Sequence, residues 1–235
     1  MNNKELITEI RKCRLADLGD AMDALGLVNT GTMDSGMRPI RPGIEFHGFA
    51  YTIKLLPAQK DVKVCKDYAE YDKELDAWCS DTYFFMNGIT KETAPDMVIV
   101  IDMGGYPGGL WGSEIGMTTM TLGISGTVID GGCRDAYECN LENVNVFSTK
   151  RTFNHVYGRI SSGGVNVPVT CAGVTVCPGD VVCADDDGVL VIPRNRAEEV
   201  LAIAMDQLRA DETKRRKHYE NLGFKPDASL SRSAR

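Results

Sequence analysis

In the stretch Gly126-Thr-Val-Ile-Asp-Gly-Gly-Cys-Arg-Asp135, an apolar run ends in two glycines and then an adjacent cation and anion, Arg134 and Asp135. A guanidinium can grip a carboxylate through two parallel hydrogen bonds, and an aspartate can hold a hard cation. Side by side they suit a small organic acid chelated to a metal. A helix cap is the competing account of Asp135, because an acid at a helix start is stabilising in its own right. The strand–Gly–Gly context favours the site, since open α/β sheets bind ligands at the carboxyl ends of their strands.

A second segment has matching chemistry. Trp111-Gly112-Ser113-Glu114-Ile115 opens a helix of about three turns, and free N–H groups at a helix start form an anion site. Ser113 is placed to cap that helix. Glu114 is placed either to approach a metal through water or to point into solvent.

The elements that must position these groups follow from apolar patterning. Residues 97–101 form a buried strand, 103–110 a glycine-rich loop and 112–122 a helix. Residues 126–130 form a second strand, 135–141 a helix and 144–148 a short third strand. Such β–α–β crossovers are right-handed with parallel strands, so the loops after Asp102 and Asp130 emerge at one edge of the sheet. The start of the Gly112 helix and the Arg134-Asp135 pair therefore converge.

Outside this unit the chain reads as helices over 6–11 and 15–25, stopped at Gly26, then a loop over 36–43 and a strand over 49–56. Residues 57–80 read as an insertion or a helical excursion. Gly163-Gly164 is expected to be a loop. Short strands follow at 165–176 and 181–184 around the turn Pro178-Gly179-Asp180, and Asp185-Asp186-Asp187-Gly188 turns into a strand at 189–192. One amphipathic helix is expected over 196–221, and the tail from Pro226 should be mobile. The expectation is an α/β fold with a central βαβ unit, N-terminal helices and a long C-terminal helix. Residues 1–225 would form one domain, with 57–80 inserted and 226–235 a flexible tail.

Other features narrow the function. A formal charge of −7 disfavours a broad nucleic-acid face, and the run Lys214-Arg215-Arg216-Lys217 reads as a solvated helix face. Residues 1–12 lack the apolar core of a signal peptide, and no apolar stretch is long enough to span a bilayer. Eight cysteines without C-x-x-C fit buried thiols in a reducing, cytoplasmic setting. Cys171, Cys177 and Cys183 recur every six residues, but the Pro178 turn interrupts them and argues against a metal cluster. His47, His155 and His218 form no ligand pair, so a catalytic metal would be bound by oxygen. The Asp185–Asp187 run lacks calcium-loop spacing and reads as a hairpin turn. Gly104, Gly105, Gly108 and Gly109 lack the G-x-G-x-x-G spacing, and Pro107 removes an amide, which weakens a nucleotide or methyl-donor reading.

The run from Trp111-Gly112 through Gly126 to Arg134-Asp135 resembles the 4-hydroxy-4-methyl-2-oxoglutarate aldolase family. That family also includes oxaloacetate decarboxylases and the regulator of ribonuclease E activity A. Asp20-Ala21 to Leu25-Gly26, Asn166-Val-Pro-Val169, and Pro178-Gly-Asp180 through Asp187-Gly188 to Pro193 look like it too. The resemblance implies a β/β/α swivelling-type fold in homotrimers or hexamers, with sites between subunits. It implies a lyase acting on a small 2-oxo acid, by aldol cleavage or decarboxylation through a pyruvate enolate. Arg134 would bind the acid, the amides of Gly112, Ser113, Glu114 and Ile115 would hold its carboxylate, and Arg159 would add a contact. Asp135 would ligate Mg²⁺ or Mn²⁺, with Glu114 near it and Glu212 supplied by a neighbouring subunit. The family pattern is an acid, twenty residues, then Arg-Asp; here the first position is Ser113, with Glu114 one residue late. The alternative is a non-catalytic binding or regulatory protein on the same scaffold. The regulator branch lacks the Asp after the Arg, whereas Asp135 is present. No nucleic-acid or membrane partner is expected.

Overall fold

In a computed structural model, which describes residues 1–58, 61–82, 89 and 91–234, ten strands and their helices build a mixed α/β fold. Residues 59 and 60 of the expected insertion lie outside the described residues. The strands are β1 (Arg38–Pro39), β2 (Phe46–Pro57), β3 (Met97–Trp111), β4 (Gly126–Cys133), β5 (Val146–Arg151), β6 (Ile160–Val165), β7 (Val169–Cys171), β8 (Val174–Val176), β9 (Val181–Asp185) and β10 (Gly188–Ile192). The described helices used below are α1 (Asn3–Ile10), α2 (Leu15–Ala24), α3 (Tyr68–Thr82), α4 (Ser113–Thr121), α5 (Ala136–Leu141) and α6 (Ala197–Leu222).

The main sheet runs β1-β5-β4-β3-β2-β9-β10, with β6 also on β2, while β7 and β8 form a separate hairpin. β2, β3, β4 and β5 are parallel neighbours, as the crossover rule requires. Their interior residues form near-continuous apolar runs because helices or loops cover both faces. One core packs around β2–β5. A second lies between α1, α2, α6 and the β9–β10 hairpin, joining both chain ends.

Local chemistry sets the boundaries. Asn2 and Glu5 form a capping box that starts α1. Gly26, at φ +75, follows α2 as expected, and Gly223, at φ +67, follows α6. The excursion after β2 is helical: α3 fills most of its described part.

Three expectations are corrected. Residues 103–110 are not a loop but a bulged continuation of β3, which pairs irregularly with β4 up to Trp111 and Cys133. Gly104 and Gly105, at φ +60 and +72, let the chain swing out and return, a path that a side chain would strain. Gly163-Gly164 lies within β6, opposite Lys54 and Leu55, where the register slips by a bulge.

The third correction concerns the tail, which is packed. Leu230 is buried, and Arg216 donates to its carbonyl. Arg232 pairs with Glu45 and donates to the Lys12 carbonyl, while Ser233 donates from its N–H and hydroxyl to Glu212. Leu230→Ala should therefore cost about 2 kcal/mol in urea unfolding, as deletion of a buried leucine side chain does; a mobile tail would give almost no change.

Burial, with Arg11 and Arg232 nearby, pushes the His47 imidazole down to about 3 from its ordinary 6.5. The unfolded chain then binds the proton first, so this contribution is complete above about pH 6.5 and is lost as pH falls towards 3. Unfolding free energies at pH 7, 5.5 and 4.5 should decline, and His47→Gln should flatten that decline.

Candidate active site

The site is built where β3 and β4 extend past their regular pairing. Gly109 sits opposite Gly132, and Trp111 opposite Cys133. A Cβ on Gly132 would strike the Gly108 carbonyl, and one on Gly109 would lie 2.8 Å from the Asn154 carbonyl and 3.1 Å from the Arg134 Cβ. Only glycine permits that approach. The Arg134 N–H donates to the Trp111 carbonyl at 2.8 Å, which ties the ends of the two strands together.

From there the chains diverge into α4 and α5. Gly112 is the N-cap of α4, so the helix's first amides open at the site. Asp135 precedes α5 in a left-handed conformation, φ 54, which Asp adopts more readily than most side chains. Its carboxylate makes no capping hydrogen bond, contrary to the competing account. It instead lies over the Gly112 Cα, where any Cβ would collide with it.

Arg134 Nε is 3.8 Å from Asp135 Oδ2, and both side chains are partly exposed. Such a contact contributes little to stability. It leaves both groups available to a ligand.

These groups share a cavity of about 350 Å³. Gly112, Glu114 and Ile115 line it on one side and Arg134 and Asp135 on another. The convergence drawn from the parallel crossovers is thus present in the fold. Ser113 is not in this lining: its hydroxyl donates to Glu142. An acid at position 113 would face that carboxylate at hydrogen-bonding range, so Glu114 is the acid that reaches the cavity.

Arg159 stands in an adjoining open groove that shares Arg134 and His155, and its guanidinium donates to the His155 and Tyr157 carbonyls. Glu212 is corrected. It is buried on α6, its carboxylate held by Ser233 of its own chain, so it is not a free ligand to lend to a neighbour.

Sequence reasoning missed His155, which lines the cavity. Its Nδ1 accepts from the Tyr157 N–H at 3.0 Å, and burial with Arg134 and Arg159 nearby pushes it down to about 4. It is therefore neutral at pH 7. Leu75 and Cys79 of α3, together with Leu110 and Thr118, were also missed as lining residues. The chain has no local motif for them, because they are brought in by the packing of α3 through Trp78 on His155 and Tyr157.

The cavity suits an oxygen-ligated cation in composition. Its carboxylates are Asp135 and Glu114, and among the described residues no group of three His, Cys, Asp or Glu converges. One or two carboxylates completed by water and substrate is the usual set for Mg²⁺.

Residues 15–191 match the family described as RraA-like: Aldolase/RraA. The chain belongs to the RraA-like family. It is 30% identical over 219 residues to the "Putative 4-hydroxy-4-methyl-2-oxoglutarate aldolase" of Halalkalibacterium halodurans, covering 93% of this chain and 90% of that protein. It is also 30% identical over 196 residues to Protein DlpA of Legionella pneumophila, covering 83% of this chain but 29% of the Legionella protein. The chain thus spans less than a third of that relative. RraAS2 of Streptomyces coelicolor, described as an unusual member of the RNase ES inhibitor RraA protein family, has the same fold: TM-score 0.74 at 24% identity, covering 91% of this chain and 97% of that one. The fold class expected from the resemblance is therefore the fold observed for this RraA-like chain. Among the described residues, no helix is long and apolar enough to cross a membrane.

Replacing Gly112 with Ala should displace the Asp135 carboxylate or open the start of α4. On the expectation that Asp135 ligates a divalent cation, binding of Mn²⁺, followed by its paramagnetic effect on water relaxation, should weaken by about tenfold or more, a loss of 1.4 kcal/mol or above; unchanged binding would count against that role.

Proposed function

We propose that this RraA-like chain is a divalent-metal-dependent carbon–carbon lyase acting on a short 2-oxo acid, of the 4-hydroxy-4-methyl-2-oxoglutarate aldolase or oxaloacetate decarboxylase type. The observation that carries this is the convergence of Arg134, Asp135 and the amide end of α4 on one cavity. The aldolase name of the Halalkalibacterium relative supports it. Mg²⁺ or Mn²⁺ would be held by Asp135, with Glu114 acting through water, and would supply Lewis-acid polarisation of the keto oxygen.

The chain's own groups perform the rest. Amides at the start of α4 receive the substrate carboxylate, and that helix end favours negative charge. Arg134 fixes the acid and places positive charge where the C2 oxygen becomes negative. In aldol cleavage the C4 hydroxyl gives its proton to water and C4 leaves as a carbonyl, and in decarboxylation C4 leaves as CO2; in both, the electrons of the breaking C3–C4 bond flow to that oxygen, and C3 then takes a proton from water to give pyruvate. His155 is neutral and held through Nδ1, so it orients the wall of the cavity without adding charge. The exposed Met117 and Met120 of α4 and Tyr137 and Leu141 of α5 offer apolar surface to a second copy, and association as trimers or hexamers follows the resemblance.

A second reading, a non-catalytic binding or regulatory protein, is favoured by one observation: Ser113 replaces the family's acid and turns to Glu142. Pyruvate release from oxaloacetate and from 4-hydroxy-4-methyl-2-oxoglutarate, with Mg²⁺, Mn²⁺ or chelator, separates the two. The lyase reading expects metal-dependent release that Asp135→Ala abolishes, while Ser113→Ala keeps kcat/KM within about threefold, or 0.7 kcal/mol. Full activity in Asp135→Ala, or no release from either substrate, would reject it.

A further inference from the structure

A second cavity, of about 340 Å³, lies at the amino ends of the parallel strands and is lined by Arg11, Glu45, Phe46, His47 and Ser125. Phe46 opens β2, Ser125 directly precedes β4, and Arg11 is the C-cap of α1. Arg134 follows the other end of β4, whose 8 residues span about 25 Å. The two cavities therefore stand at opposite edges of the sheet.

His47 is only 4% exposed, yet among the described residues neither of its ring nitrogens has a hydrogen-bond partner. Neither nitrogen is sealed from solvent, so the ring opens on the cavity it lines. A polar ring buried in this way calls for a partner from outside the chain. The hydroxyl of Ser125, which is partly buried, is also unpartnered among the described residues. Arg11 donates from Nη2 to Asp96 at 2.6 Å, which leaves the rest of its fork unused. Donors from three separate parts of the chain thus face one space.

The charges around this space form two pairs. Arg11 pairs with Asp96, and Arg232 of the tail pairs with Glu45 while donating to the Lys12 carbonyl. The guanidiniums are the charges that act on His47: after burial, Arg11 and Arg232 are what push its imidazole down. An anion beside the ring would meet a positive potential.

We propose that this cavity binds a phosphate group, free or carried on a small organic molecule. A monophosphate carries three strong acceptor oxygens and nearly two negative charges at neutral pH. Its oxygens match the open side of the Arg11 fork, the His47 N–H and the Ser125 hydroxyl. Its second charge lets it compete with Asp96 for Arg11 better than a monocarboxylate would. The occupied site would tie the end of α1 to the starts of β2 and β4. It uses neither Arg134 nor Asp135, so it stands whether or not the chain is a lyase.

The chain has three histidines, so NMR of the imidazole C–H signals of the full chain can report on the site. Inorganic phosphate and glycerol phosphate are titrated separately at pH 7 and constant ionic strength. The His47 signal, identified by its loss in His47→Gln, should move saturably in at least one titration, with half-saturation at about 1 mM or below. Tighter binding of glycerol phosphate by about tenfold would make an ester the ligand, and any smaller preference would make it free phosphate; either result upholds the site. Arg11→Gln should weaken binding about tenfold or more, and so should Arg11→Lys, which keeps the charge but not the fork. Weaker or no saturation at His47 overturns the proposal. So does movement of the His155 signal alone, which would put the anion in the other cavity, or unchanged binding in both Arg11 variants.

Discussion

Everything at the site depends on how closely the ends of β3 and β4 approach each other. Gly132 meets the Gly108 carbonyl at a distance no side chain could share, and Gly109 is packed between Asn154 and Arg134. The strands are therefore held together for several residues beyond their regular ladder. α4 and α5 then begin side by side, and the Asp135 carboxylate rests on the bare Cα of Gly112. A single methyl group at any of these positions would push the cation, the anion and the amide end apart.

The rest of the fold steadies that junction. Asp102 and Asp130 stand at the ends of the regular parts of β3 and β4, where a functional role would be easy to imagine. Their partners show another use. Asp102 is paired with Lys54 and accepts from the N–H groups of Gly104 and Thr170, and Asp130 accepts from Thr149 and the Ala172 N–H. Both acids thus stitch β7 and its following turn to the sheet edge beneath the site. Carboxylates satisfied in this way, Asp102 buried and Asp130 partly so, hold geometry.

Much of this was legible in the sequence because it arises from local pattern. The apolar runs at 97–101 and 126–130, the glycine stops and the crossover rule placed Arg134-Asp135 opposite the start of α4. Bulged pairing was not legible at 103–110, since glycine and proline there also fit a loop, and only the partner strand decides between them. The tail misled because its composition is polar and small, whereas its attachment rests on contacts of Leu230, Arg232 and Ser233 with residues distant in sequence. Glu212 was misplaced for the same reason: its partner is the tail. His155 carries no motif, and a backbone bridge to Gly109 together with the packing of Trp78 brings it to the cavity.

α3 enters the chain between two neighbouring strands of the sheet and packs over the cavity mainly through aromatic edges, with most of its surface in water. The glycine junction tolerates almost no drift, but α3 has room for it. The side of the cavity formed by Leu75 and Cys79 can therefore change shape without disturbing the junction that holds Arg134 and Asp135.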